Sequence, residues 1–343
     1  MRTILERLIL ALLVLSGAAG GAAAAFEDMP ISPRAAAMGG AALSSDGDST
    51  ALFMNPASLS GAKSGDAYFM YDRLYAGLQG AGSIGQGLIS ASVPTPWGVV
   101  AAGVGTLNAQ GLENEREIGL SYARRFGSFG VGVTGKQLYQ NYMVGGDPLA
   151  SSDPVFSHGT SRSAFSFDAG LVYDSGDPLK LGLAVRNLNS PNVGLASVDA
   201  VPRQLQASAA YLWPHLGLRA TADLLYTAQP AGAFQDRVVP SLGVEKAFYD
   251  GRAAFRMGLS TLGLSAGVGV RLGPVGLDYA LVIARAMLNG NFGTQMLGLS
   301  YHFGGGASGG AYAQERAAPP AAPPFAPVRP VANPALSVPY EPL

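Results

Sequence analysis

Large apolar residues alternate with small or polar ones along most of the chain. In VGLDYALVIA (275–284), large side chains occupy every second position and mainly Gly, Asp or Ala lie between them. The same period of two occurs in LGLAVRN (181–187), SFGVGVTGKQ (128–137) and AAFRMGLS (253–260). This alternation predicts β-strands with one face of large apolar side chains and one face of small or polar side chains.

The sequence predicts about 14 such strands, each roughly 9–12 residues long, which suits a tilted strand that crosses a bilayer. An even number is typical of bacterial membrane barrels. Most connections have turn composition, and one long segment, 141–162, is expected to be an extracellular loop. The predicted strands are 67–75, 84–93, 97–107, 115–125, 128–139, 163–174, 179–187, 203–213, 216–227, 237–247, 251–260, 264–272, 275–285 and 294–303.

Charge decides which face meets solvent. The chain is 48% hydrophobic and only 13% charged, with a net charge of -1. A soluble sandwich needs charged outer faces, so we expect an all-β fold, an antiparallel transmembrane β-barrel whose large residues face lipid. The absence of a basic excess argues against nucleic acid as a partner. The charges predicted to face the lumen are Lys136, Arg186, Arg219, Asp223, Arg256 and Asp278.

Residues 1–25 have the composition of an export signal. Arg2 and Arg7 precede and flank the start of a short apolar core at 8–15, and three alanines at 23–25 offer a cleavage site. The mature chain is expected to begin near Phe26 and to reside in the bacterial outer membrane; a retained membrane helix is the alternative. The chain has no Cys, which excludes a lipid-anchored N-terminus, disulfides and thiolate metal sites.

The other end of the chain changes composition abruptly after Phe303. An aromatic residue that ends the last alternating strand resembles the sorting signal of outer-membrane barrels. Residues 304–343 are rich first in Gly and then in Pro, and this composition predicts a disordered periplasmic tail. The tail is either a linker or a polyproline segment that binds a periplasmic partner.

The segment 26–64 does not alternate, although it is apolar. In SPRAAAMGGAALSSDGDSTALFMNPASLSG (32–61), helix-forming residues up to Met38 end at two glycines, and an Asn-Pro break follows. This pattern resembles the N-terminal segment of the PorV/PorQ outer-membrane family and, more distantly, of the FadL transporters. The resemblance implies a plug that lies in the barrel lumen or at its periplasmic mouth.

Carried over by position, the resemblance assigns structural roles within this predicted plug. Arg34 is the inward charge, with Asp223 or Asp278 as its expected partner. The plug is either purely structural or a gate. The other positions are Met38 at the end of the helix-forming run, Gly39 and Gly40 at a tight bend, and Asn55, Pro56 and Ala57 at the turn into the barrel wall.

Signals for catalysis or metal binding are weak, so we predict a non-enzyme with no cofactor and no metal. GLSAG (263–267) matches a nucleophile elbow but alternates as a strand, and GAGSIG (80–85) opens no helix. The three histidines are far apart in sequence: His158, His215 and His302. Asp46 and Asp48 lack the further ligands of a calcium loop, which favours a solvated turn.

Two functions follow from the resemblance. PorV-like barrels imply docking or shuttling of an exported protein or secretion component, and the compact barrel favours this reading. The alternative is FadL-like transport of a hydrophobic small molecule. A diffusion porin is a third reading, which sparse lumen charge argues against. In every case the barrel contacts outer-membrane lipid.

Overall fold

The computed structural model describes residues 25–26, 31–44, 47–77, 84–145, 148–228, 236–284 and 292–304. In this part of the chain, fourteen antiparallel strands form one closed barrel in sequence order. The ring closes where β1 pairs with β14, with Gly65 opposite Phe303. The predicted tail beyond Gly304, and the predicted leader apart from Ala25, lie outside the described residues.

The strand count and the all-β barrel confirm the prediction from the period of two. Most strands extend one to three residues beyond the predicted bounds or match them, because the alternation weakens at the strand ends. The strands are β1 (Gly65–Leu74), β2 (Ile84–Thr95), β3 (Gly98–Ala109), β4 (Glu113–Phe126), β5 (Phe129–Tyr142), β6 (Ser161–Asp174), β7 (Leu179–Arg186), β8 (Arg203–Trp213), β9 (Leu218–Ala228), β10 (Arg237–Phe248), β11 (Ala253–Ser260), β12 (Gly263–Leu272), β13 (Val275–Ala284) and β14 (Thr294–Phe303).

Helices are short, and several begin at a side-chain cap. Ser32 Oγ accepts a hydrogen bond from the Ala35 amide at 3.2 Å, which starts the first helix. No helix among the described residues is long and apolar enough to cross a membrane. The α-helices are α1 (Pro33–Ala37) and α2 (Pro148–Ser151), and the 3₁₀ helices are η1 (Ala42–Ser44), η2 (Ser49–Phe53), η3 (Pro56–Gly61), η4 (Pro154–Phe156), η5 (Pro214–Leu216) and η6 (Tyr249–Gly251).

The two faces of the barrel wall differ as the alternation predicts. Along β5, Phe129, Val131 and Val133 are exposed on the outside, whereas Thr134 and Lys136 are buried on the inside. Large apolar residues elsewhere on the outer face, such as Leu120 and Phe165, are also exposed. The wall therefore presents an apolar outer surface and a small or polar inner one.

The connections at the two ends of the barrel differ in length. The end that holds Gly65 and Phe303 has short turns, such as 127–128 and 273–274. The opposite end carries the long connections, including 143–160 between β5 and β6. The sequence prediction of a single long connection is wrong, because 187–202 between β7 and β8 is also long and contains an isolated bridge from Asn192 to Ala200. The predicted strands 179–187 and 203–213 already leave 188–202 between them, but the sequence analysis did not interpret this interval as a long loop.

Candidate functional site

Residues 31–44 and 47–62, here called the N-terminal segment, pack against the inner face of the barrel wall. Leu52 and Leu59 of this segment are buried in a cluster with Met70, Leu88 and Met296 of the barrel wall. The segment contacts strands around most of the ring, from β14 through β10 to β3. The segment therefore contacts strands on different sides of one closed ring.

Glycines of the wall make room for the N-terminal segment. A Cβ built on Gly243 would lie 2.6 Å from the Met38 carbonyl oxygen, and one built on Gly119 would lie 2.8 Å from Leu52 Cδ1. Real Cβ atoms do not approach so closely, so a side chain at position 243 would force the backbone to shift, whereas one at position 119 would displace the end of the Leu52 side chain. The wall glycines and their neighbours in the segment are Gly298 with Pro33, Gly267 with Ala37, Gly243 with Met38, Gly182 with Leu43, Gly103 and Gly119 with Leu52, Gly170 with Asn55, and Gly132 with Pro56.

Arg34 joins the N-terminal segment to the wall through a carboxylate that the sequence reasoning missed. Its Nε and Nη2 donate to the two carboxylate oxygens of Glu245 at 3.0 and 2.8 Å. The Glu245 side chain is 1% exposed. The prediction that Arg34 pairs with Asp223 or Asp278 is therefore wrong. Glu245 lies two residues after Gly243 on the inner face of β10, so the period of two could have identified it.

A second arginine extends this network across the wall. Arg256 on β11 donates through Nε to Glu245 at 2.6 Å and through Nη1 to Asp278 at 2.5 Å. Asp278 thus belongs to the network through Arg256. A buried carboxylate between two guanidinium groups has its charge compensated, which is the condition for burying it at all. The network therefore fixes α1 against β10, β11 and β13.

Two further predicted lumen charges bind the backbone of the N-terminal segment. Asp223 accepts a hydrogen bond from the Ala42 amide at 3.1 Å and is also bound by Gln206 at 3.2 Å. Arg219 Nη1 donates to the Leu43 carbonyl oxygen at 3.1 Å. Both side chains lie on the inner face of β9 and are buried. They satisfy backbone groups at η1, which would otherwise be buried without partners.

The Gly pair after α1 has the geometry of a helix C-terminus. Gly39 lies in the left-handed region with φ of +74°, and its amide donates to the Ala36 carbonyl at 3.1 Å. The Gly40 amide donates to the Ala35 carbonyl at 2.8 Å. These two bonds form a Schellman motif, in which glycine is favoured because a side chain would be strained at positive φ. The motif turns the chain directly after Met38.

The Asn-Pro pair starts η3. Asn55 Oδ1 accepts a hydrogen bond from the Ala57 amide at 3.0 Å, and Pro56 occupies the first helical position. Asn55 and Ala57 are both buried, and Asn55 packs on Gly170 of β6. Asn55, Pro56 and Ala57 thus begin the last helical turn before the chain enters β1.

The remaining predicted lumen charges form a second cluster on β4 to β7. Lys136 Nζ lies 3.1 Å from Glu117 Oε2, 3.0 Å from Asp168 Oδ2 and 3.0 Å from Asn187 Oδ1. Arg186 lies beside these carboxylates and its Nη1 is 3.4 Å from the Phe53 carbonyl oxygen. The cluster thus combines two cations with two anions, so it presents little net charge.

Asp48 caps η2 rather than lying in a solvated turn. Its carboxylate accepts hydrogen bonds from the Thr50 amide, at 3.0 Å, and from the Thr50 hydroxyl. Burial raises the pKa of Asp48 to about 6, and the negative charge of Asp66 adds to the effect. Asp66 in turn accepts from the amide and hydroxyl of Ser49 at 3.0 and 2.9 Å. Asp46 lies outside the described residues.

The sequence motifs for catalysis do not form a catalytic site in the described part of the chain. Ser265 of GLSAG lies within β12, in register with Val282, and not on a strand-to-helix turn. His158 Nδ1 lies 3.0 Å from Ser157 Oγ, a pair that the sequence reasoning missed, on an exposed loop. Most of GAGSIG lies outside the described residues. The described residues hold no group of three or more potential metal ligands.

Comparisons with known proteins identify the fold. No family model and no curated protein matches the chain. Among solved structures, a CymD monoaromatic hydrocarbon channel has a TM-score of 0.58 and 16% identity, and covers 80% of this chain and 97% of its own. The toluene transporter TodX of P. putida has a TM-score of 0.57 and 12% identity, over 79% of this chain and 98% of its own. A FadL homologue of Pseudomonas aeruginosa has a TM-score of 0.55 and 13% identity, over 82% of this chain and 99% of its own.

These likenesses show that the chain has the fold of FadL-type 14-strand barrels. Identity of 16% or less shows the fold alone. The resemblance to the PorV/PorQ family, which the N-terminal pattern favours, receives no support from any of the three comparisons. The more distant resemblance to FadL is the one that the structures support.

Proposed function

We propose that the protein transports hydrophobic small molecules across the bacterial outer membrane, through a barrel that its N-terminal segment closes as a plug. The observation that carries the proposal is the packing of the N-terminal segment against the inner face of a closed 14-strand ring. The sequence analysis ranked docking of an exported protein first and transport of a hydrophobic small molecule second, and we now reverse this order.

The outer face of the barrel supports a membrane location. Leu120, Phe165 and Leu297 expose 63%, 67% and 63% of their surfaces, which is costly in water for so many large apolar side chains. An outward apolar band is the hallmark of a transmembrane barrel. The unequal ends agree with this location, because outer-membrane barrels have short periplasmic turns and longer extracellular loops. By this rule β1, into which the N-terminal segment continues, begins at the periplasmic end.

The packing of the N-terminal segment against the wall argues against free diffusion of water-soluble solutes. An aqueous pore needs a continuous water-filled path lined by polar groups. Here the wall glycines hold the N-terminal segment in van der Waals contact, and Arg34 and Glu245 fix it electrostatically. Within each of the two clusters the charges are largely compensated, so neither cluster presents a strong field to an ionic solute.

The structural neighbours give the proposed chemistry of the cargo. CymD is described as a monoaromatic hydrocarbon channel and TodX as a toluene transporter. We extend this class of cargo, apolar molecules of about the size of toluene, to the present barrel. The plug would keep the outer membrane sealed to other solutes while such a molecule passes.

Uptake by whole cells tests the proposal. A host that lacks its own hydrocarbon channels would express the full-length gene, and uptake of radiolabelled toluene and of a labelled disaccharide would be measured in parallel. We expect faster toluene uptake than in cells with an empty vector, and no change for the disaccharide. Equal acceleration of both solutes would identify an open pore. Unchanged toluene uptake, with the barrel folded in the outer membrane, would refute transport.

A further inference from the structure

The backbone nitrogen of Phe26 lies against a buried carboxylate. It is 3.1 Å from Oε1 and 3.2 Å from Oε2 of Glu115, which lies on the inner face of β4 and is buried. An amide has one hydrogen and must share it between both oxygens. An ammonium group has three hydrogens, so it donates separately to each oxygen and neutralises the carboxylate. The site therefore suits a free α-amino group better than an amide.

The side chain of Phe26 holds its nitrogen in this place. Phe26 is buried in an apolar cluster with Leu138 of β5 and with Val193 and Val201 of the connection 187–202. A buried aromatic ring contributes a large apolar area, so the ring anchors the first atoms of the residue. The amine position is thus set by packing and not only by the hydrogen bonds to Glu115.

The backbone torsion at Phe26 also favours a free α-amino group. Its φ is +58°, in the left-handed region that large side chains rarely adopt. This torsion exists only if a residue precedes Phe26 in the chain. A chain that begins at Phe26 has no such torsion, and the strain disappears.

The electrostatic surroundings favour a cation at this position. The negative charges of Glu113, Glu115 and Asp199 all act on the hydroxyl of Tyr142, at the end of the barrel that carries the long connections. Like charges close together repel one another, and a positive charge among them relieves the repulsion.

We propose that the chain is cleaved between Ala25 and Phe26 and that the new α-ammonium group of Phe26 forms a buried ion pair with Glu115. In this step a leader peptidase adds water across the Ala25–Phe26 peptide bond. Ala25 leaves with the leader as a carboxylate, and the Phe26 nitrogen gains the hydrogens of an ammonium. Export processing would thus create the cation that docks the mature N-terminus inside the barrel.

The ion pair would give the chain that precedes β1 a fixed point at each of its two ends. Glu115 lies two residues after the start of β4, near the end with the long connections. The other end of the segment continues into β1 at Gly65, at the opposite end of the barrel. The chain between these points would then be tethered covalently at one end and by the ion pair at the other.

Titration of the N-terminal amine tests this proposal. Protein purified from outer membranes would carry ¹³C at the Cα of its 14 phenylalanines, of which only an N-terminal one shifts strongly as its amine titrates. An ordinary α-amino pKa is about 7.7–8.0, and a close carboxylate raises it by about one to three units. We expect a mass that begins at Phe26 and an amine pKa at least one unit above the ordinary value.

Two variants distinguish the ion pair with Glu115 from the effect of the other acidic residues nearby. In Glu115→Gln the amine pKa should fall to about 8 or lower, because burial without the carboxylate disfavours the ammonium form. Glu113→Gln, two residues away on the same face, should keep most of the increase. A wild-type amine pKa of about 8 would overturn the proposal without any variant, and so would a mature chain that begins elsewhere. An equal shift in both variants would overturn the specific role of Glu115.

Discussion

Gly132→Ala is expected to loosen the N-terminal segment. Gly132 lies on the inner face of β5, where an added Cβ would lie 2.5 Å from the Ala57 nitrogen and still closer to the Pro56 carbonyl. These are backbone atoms of η3, so they cannot rotate away as the end of a flexible side chain can. The wall or the segment must therefore shift.

The structure sets the size of this effect. Overpacking by one methyl group in a well-packed interior costs about 1–3 kcal/mol. If the strain falls on the seated state of the segment, the population of the displaced state rises by about fivefold to about 150-fold, since 1.4 kcal/mol corresponds to a factor of ten. Gly243→Ala should act in the same way from the opposite side of the ring, because its Cβ would lie 2.6 Å from the Met38 carbonyl oxygen.

Conductance in planar lipid bilayers measures the displaced state directly. Gly135→Ala is the matched control, since Gly135 lies on the outer face of the same strand and its Cβ would lie 3.9 Å from Phe167 Cε1, an ordinary contact. We expect opening events to become frequent in Gly132→Ala and to stay at the wild-type level in Gly135→Ala. Heat-modifiable migration in gels would show that each barrel is folded. A folded Gly132→Ala barrel with wild-type current would refute the close seating of the segment.

Three further predictions concern charged groups. Arg34→Ala removes one of the two guanidinium groups that bind Glu245 and should lower stability by about 1.5–3 kcal/mol in urea unfolding. Arg34→Lys keeps the charge and should lose less. Equal losses in the two variants would contradict the bidentate pair. Burial raises the pKa of Asp48 to about 6, from 3.8 in the unfolded chain, so ionisation of this group costs more in the folded state than in the unfolded state. Stability should therefore fall by at most about 3 kcal/mol as pH rises from 4 to 7. Asp48→Asn, which keeps the cap, should flatten this slope, and an unchanged slope would assign it to other groups. Lys136→Met leaves two buried carboxylates with Arg186 as the remaining cation of their cluster and should cost about 3–5 kcal/mol. Lys180→Met, at a half-buried pair with Asp174, should cost under about 1 kcal/mol; similar costs for both would refute the difference in burial.

The barrel itself could be predicted from the sequence because a strand records its two faces in a local pattern. The alternation in 128–137 already separates the outward Phe129 and Val131 from the inward Lys136. Caps are equally local, since Ser32 and Asn55 bond to amides two or three residues away. Such features need no knowledge of the rest of the chain.

The partners across the lumen could not be predicted in the same way. Arg34 and Glu245 are 211 residues apart, and Phe26 and Glu115 are 89 apart, so no periodicity links them. The sequence analysis named Asp223 and Asp278 as possible partners of Arg34 and missed Glu245, because the choice of partner depends on where the segment meets the wall. The sequence analysis ranked docking above transport for a related reason: a short N-terminal pattern resembles more than one family of barrels.

Native mass spectrometry of the protein, extracted gently from its own outer membrane, tests the central claim most directly. The account predicts a barrel with an added mass of at most a few hundred daltons, which exchanges for toluene when toluene is supplied in excess. The added mass of a whole polypeptide would contradict transport and support the docking role. A bare barrel that takes up no toluene even at saturation would contradict the account as well.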